Sequence, residues 1–387
     1  MGRVMLTAKS ASKSNLRPFV LRYRSMNGRC QFKQGSASPP SIHQDRLLYI
    51  RANGFFRPFL LTVLLAIAPA IAAAAETNEV RVVKQIGLGF LPIMVMEHEK
   101  LIEKHARAAG LGEVKGTYAT TVGPAVMNDA MLAGRIDIGA NGPTSIILIW
   151  SRTKGTDNEI KGMAAMITSP MWLNTSKPNI KTVRDISPED RIAVPGIKTS
   201  NQAIVLQMAT AQALGKDQFD KFTPQTVAMS HFDGMAALFS KKEITLHLTS
   251  PPVQYLEVEQ PGIHKVLSSD DVLGGPATFS NIFSSSKFRN ANPRTYKASL
   301  AAFTEAVALI NKDKKWAAQV YLNVSGDKKS TVADILKQLE DVNIQFTTTP
   351  RNVQKYAEFM FDAGYIKTKP ASWKDLYFPE IHDLPGS

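Results

Sequence analysis

The chain has 387 residues, with 46 Lys and Arg against 33 Asp and Glu, a formal charge of +13. Eleven of the basic residues and one acidic residue, Asp45, fall in 1–75, so that segment carries +10 and the following 312 residues only +3. A nucleic-acid-binding domain needs its basic excess on the folded part, where it neutralises phosphates, and this distribution excludes that class.

The run Pro58 to Ala75 is apolar, follows Arg51 and Arg57, and fades through Pro69 into alanines. That is the layout of a secretory signal, and its strongly apolar part is shorter than the roughly 20 residues a membrane span needs. Ala73-Ala74-Ala75 supplies the small residues of a cleavage site, so the expected mature chain starts at Glu76 and is periplasmic. The only cysteine, Cys30, lies in the leader. The mature part then has no thiol for disulfides, catalysis, metal binding or lipidation, and a soluble protein is expected.

Beyond Glu76, apolar runs bounded by turn residues alternate with helical patterns, which predicts α/β architecture. Val80 to Leu88 reads as a strand, Pro92 to Arg107 as a helix, Val114 to Ala119 as a strand, Thr121 to Leu132 as a helix, and Ile136 to Ala140 as a strand. A second series echoes the first. It comprises a strand at Arg191 to Pro195, a helix ending at Gly215, a strand near Gln225 to Met229, a helix over Phe232 to Ser240, and a strand at Ile244 to Leu248. Two similar lobes are expected, linked outward through Met163 to Pro170 and back through Ala277 to Phe283, two extended hinge crossings. From Asn292 onward four helices are expected, over 298–310, 315–322, 331–339 and 353–361, packing on the first lobe. The expected division is 1–75 leader, 76–168 first lobe, 169–279 second lobe, and 280–387 return to the first lobe with the helical tail.

Helix amino termini hold unpaired N–H groups and the positive dipole end, so they attract anions. Three loops open helices in this way: Thr120-Thr121-Val122-Gly123-Pro124, Asn141-Gly142-Pro143-Thr144 and Lys198-Thr199-Ser200-Asn201. The plain alternative is that Thr121, Thr144 and Ser200 or Asn201 only cap their helices, worth about 1 kcal/mol each. Trp172 either walls the cleft or fills a core. His231 and Asp233 precede a helix as ligand contacts or as a surface His and a capping Asp; Ser250, Ser280 and Asn281 are further candidates at the carboxyl end of a strand and in the hinge. His98 and His105 stand two turns apart without partner ligands, which reads as an amphipathic face and not a metal site. No catalytic motif is present, so no enzyme activity, metal or cofactor is expected.

The order of elements resembles the substrate-binding proteins of aliphatic sulfonate, taurine and nitrate ABC importers, which are related to thiamine-pyrimidine-binding proteins. The local carriers are Ala130 to Gly139, ending in Ile136-Asp137-Ile138-Gly139, the loop Asn141 to Thr144, and the opening Gly87 to Ile93. In place of the family's usual Asp the second lobe has Thr245, with Lys241 and Lys242 in the turn. The resemblance implies a type II periplasmic binding fold, each lobe a mixed sheet flanked by helices with the ligand cleft between. It also implies a small anionic solute contacted by Gly89, Phe90 and Leu91, with Phe90, Leu91 and Trp172 covering a hydrocarbon tail. An aliphatic sulfonate is the first choice and a nitrate-like anion the second; a pyrimidine or aromatic sulfonate is the alternative. The implied partners are an ABC permease and ATPase serving a monomeric binding protein, with a receptor-coupled sensing module as the rival role.

Overall fold

The computed structural model describes residues 75–121 and 123–387; the expected leader up to Ala74, and Val122, lie outside the described residues. The chain first lays down β1 (Glu79–Lys84), α1 (Leu91–His98), α2 (Leu101–Ala108), β2 (Lys115–Thr120), α3 (Pro124–Leu132), β3 (Ile138–Asn141), α4 (Pro143–Thr153) and β4 (Ile160–Thr168). Next come β5 (Trp172–Thr175), β6 (Ile192–Val194), α5 (Asn201–Leu214), β7 (Thr226–Ala228), α6 (His231–Ser240), β8 (Leu246–Thr249), α7 (Val253–Glu259), β9 (His264–Ser268) and α8 (Ser269–Leu273). The last part holds β10 (Thr278–Ser285), α9 (Ser286–Ala291), α10 (Pro293–Lys312), α11 (Lys314–Ser325), α12 (Val332–Leu339), β11 (Gln345–Phe346) and α13 (Val353–Asp362). Among the described residues no helix is long and apolar enough to cross a membrane.

The strands form two mixed sheets flanked by helices, one six-stranded with order β11-β4-β10-β3-β1-β2, the other five-stranded with order β7-β6-β8-β5-β9. In the first, β1 pairs parallel with β2 and β3, while β10 runs antiparallel between β3 and β4. In the second, β6 pairs parallel with β7 and β8, and β5 is antiparallel to β8 and β9. Strands β3 and β10 are buried at every residue, as central strands covered on both faces must be.

The chain changes sheets between Thr168 and Trp172 and again between Leu273 and Thr278. The outgoing crossing is fastened to the start of α8: Met171 N–H donates to Ser269 Oγ at 2.8 Å, and Ser269 N–H to Met171 O at 2.8 Å.

The runs read as hinge crossings, Met163 to Pro170 and Ala277 to Phe283, lie mostly in β4 and β10 of the first sheet, and two further elements near the cleft differ from the sequence reading. The first strand stops at Lys84, because Gly87, at φ 136°, turns the chain into a 3-10 segment over Leu88–Phe90. The helix expected over Pro92 to Arg107 is two helices, broken at Lys100 in the left-handed region (φ 51°). The break lets α1 bury Leu91 through Met96 entirely while α2 turns only one face, Leu101, Ile102 and Ala106, inward.

The tail also reaches further than expected. His105 Nε2 bonds Glu305 Oε2 at 2.7 Å, anchoring α10 on the first lobe. However, α13 also lies against α5 of the second lobe, where Gln207 Nε2 donates to Tyr365 Oη at 2.8 Å and Phe219 meets Phe359 edge-on at 6.0 Å. Burying one apolar face against two neighbours explains this better than packing on one lobe alone.

In the second lobe Asp190, 1% exposed, accepts from Ser187 N–H (2.9 Å) and Oγ (2.7 Å) and from Thr245 Oγ1 (2.8 Å), and pairs with Lys177 Nζ at 2.6 Å. Burial alone would raise its pKa, but the bonds from Lys177, Ser187 and Thr245 outweigh this and hold it at about 2. The folded pKa lies below the ordinary 3.8, so this stabilisation is present above pH 3.8 and lost as pH falls toward 2. Asp190→Ala is expected to cost about 3 kcal/mol in denaturant melts at neutral pH, with the deficit shrinking as pH falls through that window. A deficit that is constant with pH would show that the charge contributes nothing.

Candidate functional site

Parallel strands present their carboxyl ends, and the loops after them, along one edge of a sheet. In the first lobe these are Gln85 after β1 and Asn141 closing β3; in the second, Pro195 after β6. Because β10 is antiparallel to β3, with Asn281 opposite Asn141, its amino end brings Phe279 to the same edge. The two edges face one another and enclose a cavity of about 30 Å³. The first lobe contributes Gln85, Phe90, Pro124, Asn141, Gly142, Thr144, Ser145 and Phe279; the second, Pro195, Thr199, Ser200, Asn201, Gln202 and His231. Among the described residues no Lys, Arg, Asp or Glu lines it.

Two helices of substantial length open onto this space. Helix α4 starts with Pro143 directly after Gly142, an arrangement that begins a helix without a capping side chain. Facing it, α5 is capped by Ser200, whose Oγ accepts from Ala203 N–H at 3.2 Å and donates to Gly196 O at 2.8 Å. The floor is a polar network: Gln85 Nε2 donates to Asn141 Oδ1 (2.9 Å), and Asn141 Nδ2 donates to Ser145 Oγ (2.8 Å). Phe90 and Phe279 meet edge-on at 6.5 Å and form its apolar wall.

His231, the first residue of α6, is held by both hydroxyls at the end of β8, with Nδ1 bonded to Thr249 Oγ1 (2.7 Å) and Nε2 to Ser250 Oγ (3.3 Å). Behind it His247 Nδ1 bonds Glu257 Oε1 at 2.5 Å, and Glu257 Oε2 accepts from Asn174 Nδ2 at 2.9 Å. Burial, aided by the neighbouring His247, holds the pKa of His231 down to about 3. It therefore offers the cavity an imidazole and no charge at neutral pH.

The candidates named from sequence scatter accordingly. Phe90, Asn141, Gly142, Thr144, Thr199, Ser200, Asn201 and His231 meet at the cavity. Gly89 is pressed under the Phe279 ring, Leu91 is fully buried in the core, and Pro143 is buried in the first turn of α4. Thr120 is exposed at the end of the edge strand β2, and Thr121 donates its N–H to Lys84 O at 3.0 Å; neither lines the cavity, and Val122 is outside the described residues.

Trp172 is carried away to β5, where it stacks on Tyr255 (4.8 Å) under Lys265 Nζ (4.7 Å). Lys198 is exposed, and Asp233 sits in the cap of α6 accepting from Ser230 Oγ at 2.5 Å. Ser250 supports His231, Ser280 donates to Gly89 O at 2.5 Å, and Asn281 accepts from the Tyr377 hydroxyl. Pro124, the last residue of the first candidate loop, does line the cavity; Gln85, Ser145, Pro195, Gln202 and Phe279 are not singled out by the sequence, although Gln85 and Pro195 directly follow strands whose ends point at the cleft.

No family model and no curated protein matches the sequence. Among solved structures, the chain is similar to the alkanesulfonate-binding protein SsuA of Xanthomonas axonopodis pv. citri bound to MOPS, at 17% identity and TM-score 0.61, covering 76% of this chain and 96% of that one. It is also similar to the periplasmic aliphatic sulphonate binding protein SsuA of Escherichia coli, at 19% identity, TM-score 0.58 and coverages of 78% and 92%. The periplasmic nitrate-binding protein NrtA of Synechocystis PCC 6803 matches at 13% identity and TM-score 0.60, with coverages of 77% and 83%. The chain has the fold of these periplasmic binding proteins.

Because the folded pKa of His231 lies below the ordinary 6.5, the unfolded chain takes up this proton first as pH drops below 6.5, and stability falls. In melts over a pH series, His231→Gln is expected to flatten that decline by up to about 1.4 kcal/mol per pH unit. Equal slopes for both proteins would show that His231 is not buried in its neutral form.

Proposed function

We propose that this protein is the solute-binding component of an ABC importer, taking a small monoanion with an oxyanion head into the cleft and delivering it to a permease and ATPase. The observation that carries this reading is the uncharged cavity between the two lobes at the first turn of α5, lined by amides and hydroxyls beside an apolar wall. Helix starts favour dispersed negative charge without a cationic side chain, and a neutral lining suits one negative charge better than two. The fold is shared with sulfonate- and nitrate-binding proteins, and the binding role is read with that likeness as support. The hydroxyls and amides of the cleft suit hydrogen bonding to a solute, which supports a binding role.

An aliphatic sulfonate remains the first choice, with Phe90 and Phe279 as the apolar wall for its tail in place of Leu91 and Trp172. The cavity of about 30 Å³ favours the second choice, a nitrate-like anion, or a sulfonate with a very short chain. Thermal shift separates them. A solute at 100 times its dissociation constant stabilises the folded state by about 2.7 kcal/mol. Nitrate and methanesulfonate are expected to raise the melting temperature, longer sulfonates progressively less, and Gln85→Ala to weaken the best anion about tenfold. A melt raised only by uncharged pyrimidines, or anion affinity indifferent to Gln85→Ala, removes this ligand class.

Delivery in the periplasm requires export. Amino-terminal sequencing of the protein recovered from its host is expected to begin at Glu76; a chain retaining Arg57 to Ala72 contradicts the signal-peptide reading.

A further inference from the structure

Asn201 is the first residue of α5 but not its cap, since Ser200 performs that role. Its side chain is therefore free to act elsewhere, and every bond it makes crosses to the first lobe. Oδ1 accepts from Thr144 N–H at 3.3 Å and Thr144 Oγ1 at 2.9 Å; Nδ2 donates to Phe279 O at 2.7 Å. The Thr144 hydroxyl also lies 3.1 Å from Thr199 O, so its proton is shared between two acceptors on the second lobe. The amide is 3% exposed, and it spends both its acceptor and a donor on groups that would otherwise be orphaned: the first-turn N–H of α4 and the carbonyl at the start of β10. Gly142 lies directly against it, and any Cβ there would overlap the amide.

We propose that Asn201 is a latch that holds the lobes shut by itself, so that a solute meets a population already biased toward the closed form. The latch regulates the cleft to which the solute-binding reading assigns its ligand, and to that extent it rests on that reading. Its consequence is specific. An apparent dissociation constant equals the intrinsic one divided by the closed fraction, so removing the latch weakens every solute by the same factor and leaves their ranking intact. A direct ligand contact would change the ranking, and an amide competing with the solute would raise affinity when removed.

Small-angle scattering on the purified protein, with no solute added, compares wild type with Asn201→Ala and Gly142→Ala; far-ultraviolet circular dichroism checks that each is folded. Both variants are expected to show a larger radius of gyration than wild type, and Thr144→Val, which keeps the N–H and loses only the hydroxyl, an intermediate value. Calorimetric titration with nitrate and methanesulfonate is expected to show affinities for Asn201→Ala lower by about tenfold and by equal factors. Unchanged radii in both variants, a gain in affinity, or a loss confined to one solute would overturn the latch. If neither anion binds the wild-type protein, the ligand class fails while the scattering still decides the latch.

Discussion

The architecture of the cleft depends on one strand running against its neighbours. After the second lobe is complete, β10 returns through the first sheet antiparallel to both β3 and β4, buried along its whole length. An antiparallel strand at that place puts its beginning where its neighbour β3 ends, and β3 ends at the edge that lines the cavity. Phe279, Ser280 and Asn281 thus meet the loops after β1 and β3 from far along the chain, Ser280 reaching Gly89 across a separation of 191 residues. Phe279 forms the wall with Phe90, Ser280 fastens the 3-10 turn through Gly89 O, and Asn281 fixes the register opposite Asn141. The outgoing crossing is pinned to the start of α8, just before the chain returns, by the Met171–Ser269 pair.

That geometry decides the electrostatics. A fixed cation in so tight a space would need its own counter-charge whenever the cleft closed on nothing, because an unpaired buried charge is costly. The lining avoids the problem with neutral groups: amides of Gln85, Asn141 and Gln202, hydroxyls of Thr144 and Ser145, an imidazole held uncharged by burial, and the start of α5. The buried Glu257 is spent on His247 and Asn174 behind His231 and does not line the cavity.

These features were unequally legible in the sequence. Helix starts are local events, so Gly142-Pro143-Thr144 and Ser200-Asn201 could be read from a few residues, and the two lobes from repetition of the strand and helix pattern. Gln85 was lost because the apolar run from Val80 to Leu88 looked like one strand, whereas the turn at Gly87 ends it early and delivers residue 85 to the cleft. Phe279 was lost because nothing local tells a strand which neighbours it will separate. Trp172 failed for a related reason: proximity to a crossing was legible, but the pairing of β5 with β9 that turns the ring toward Lys265 and Tyr255 was not. Ser200 shows the bland and functional readings coexisting in one residue, since it caps α5 and lines the cavity.

The helical tail bears on how such a cleft can open. Besides the contacts around Asn201, the lobes touch where Tyr255 Oη donates to Asp341 Oδ2 at 2.5 Å and where Gln207 and Phe219 meet Tyr365 and Phe359. Both regions adjoin the crossings. Asp341 is four residues before β11, which pairs with the end of β4, and α13 begins just after Arg351, whose carbonyl accepts from Thr278 N–H. In a hinge rotation, displacement grows with distance from the axis, so contacts beside the crossings shift little while those at the mouth separate most. The tail contacts beside the crossings can therefore persist through opening as a pivot, which leaves the bonds between Asn201 of α5 and Thr144 of α4 among those a rotation has to break.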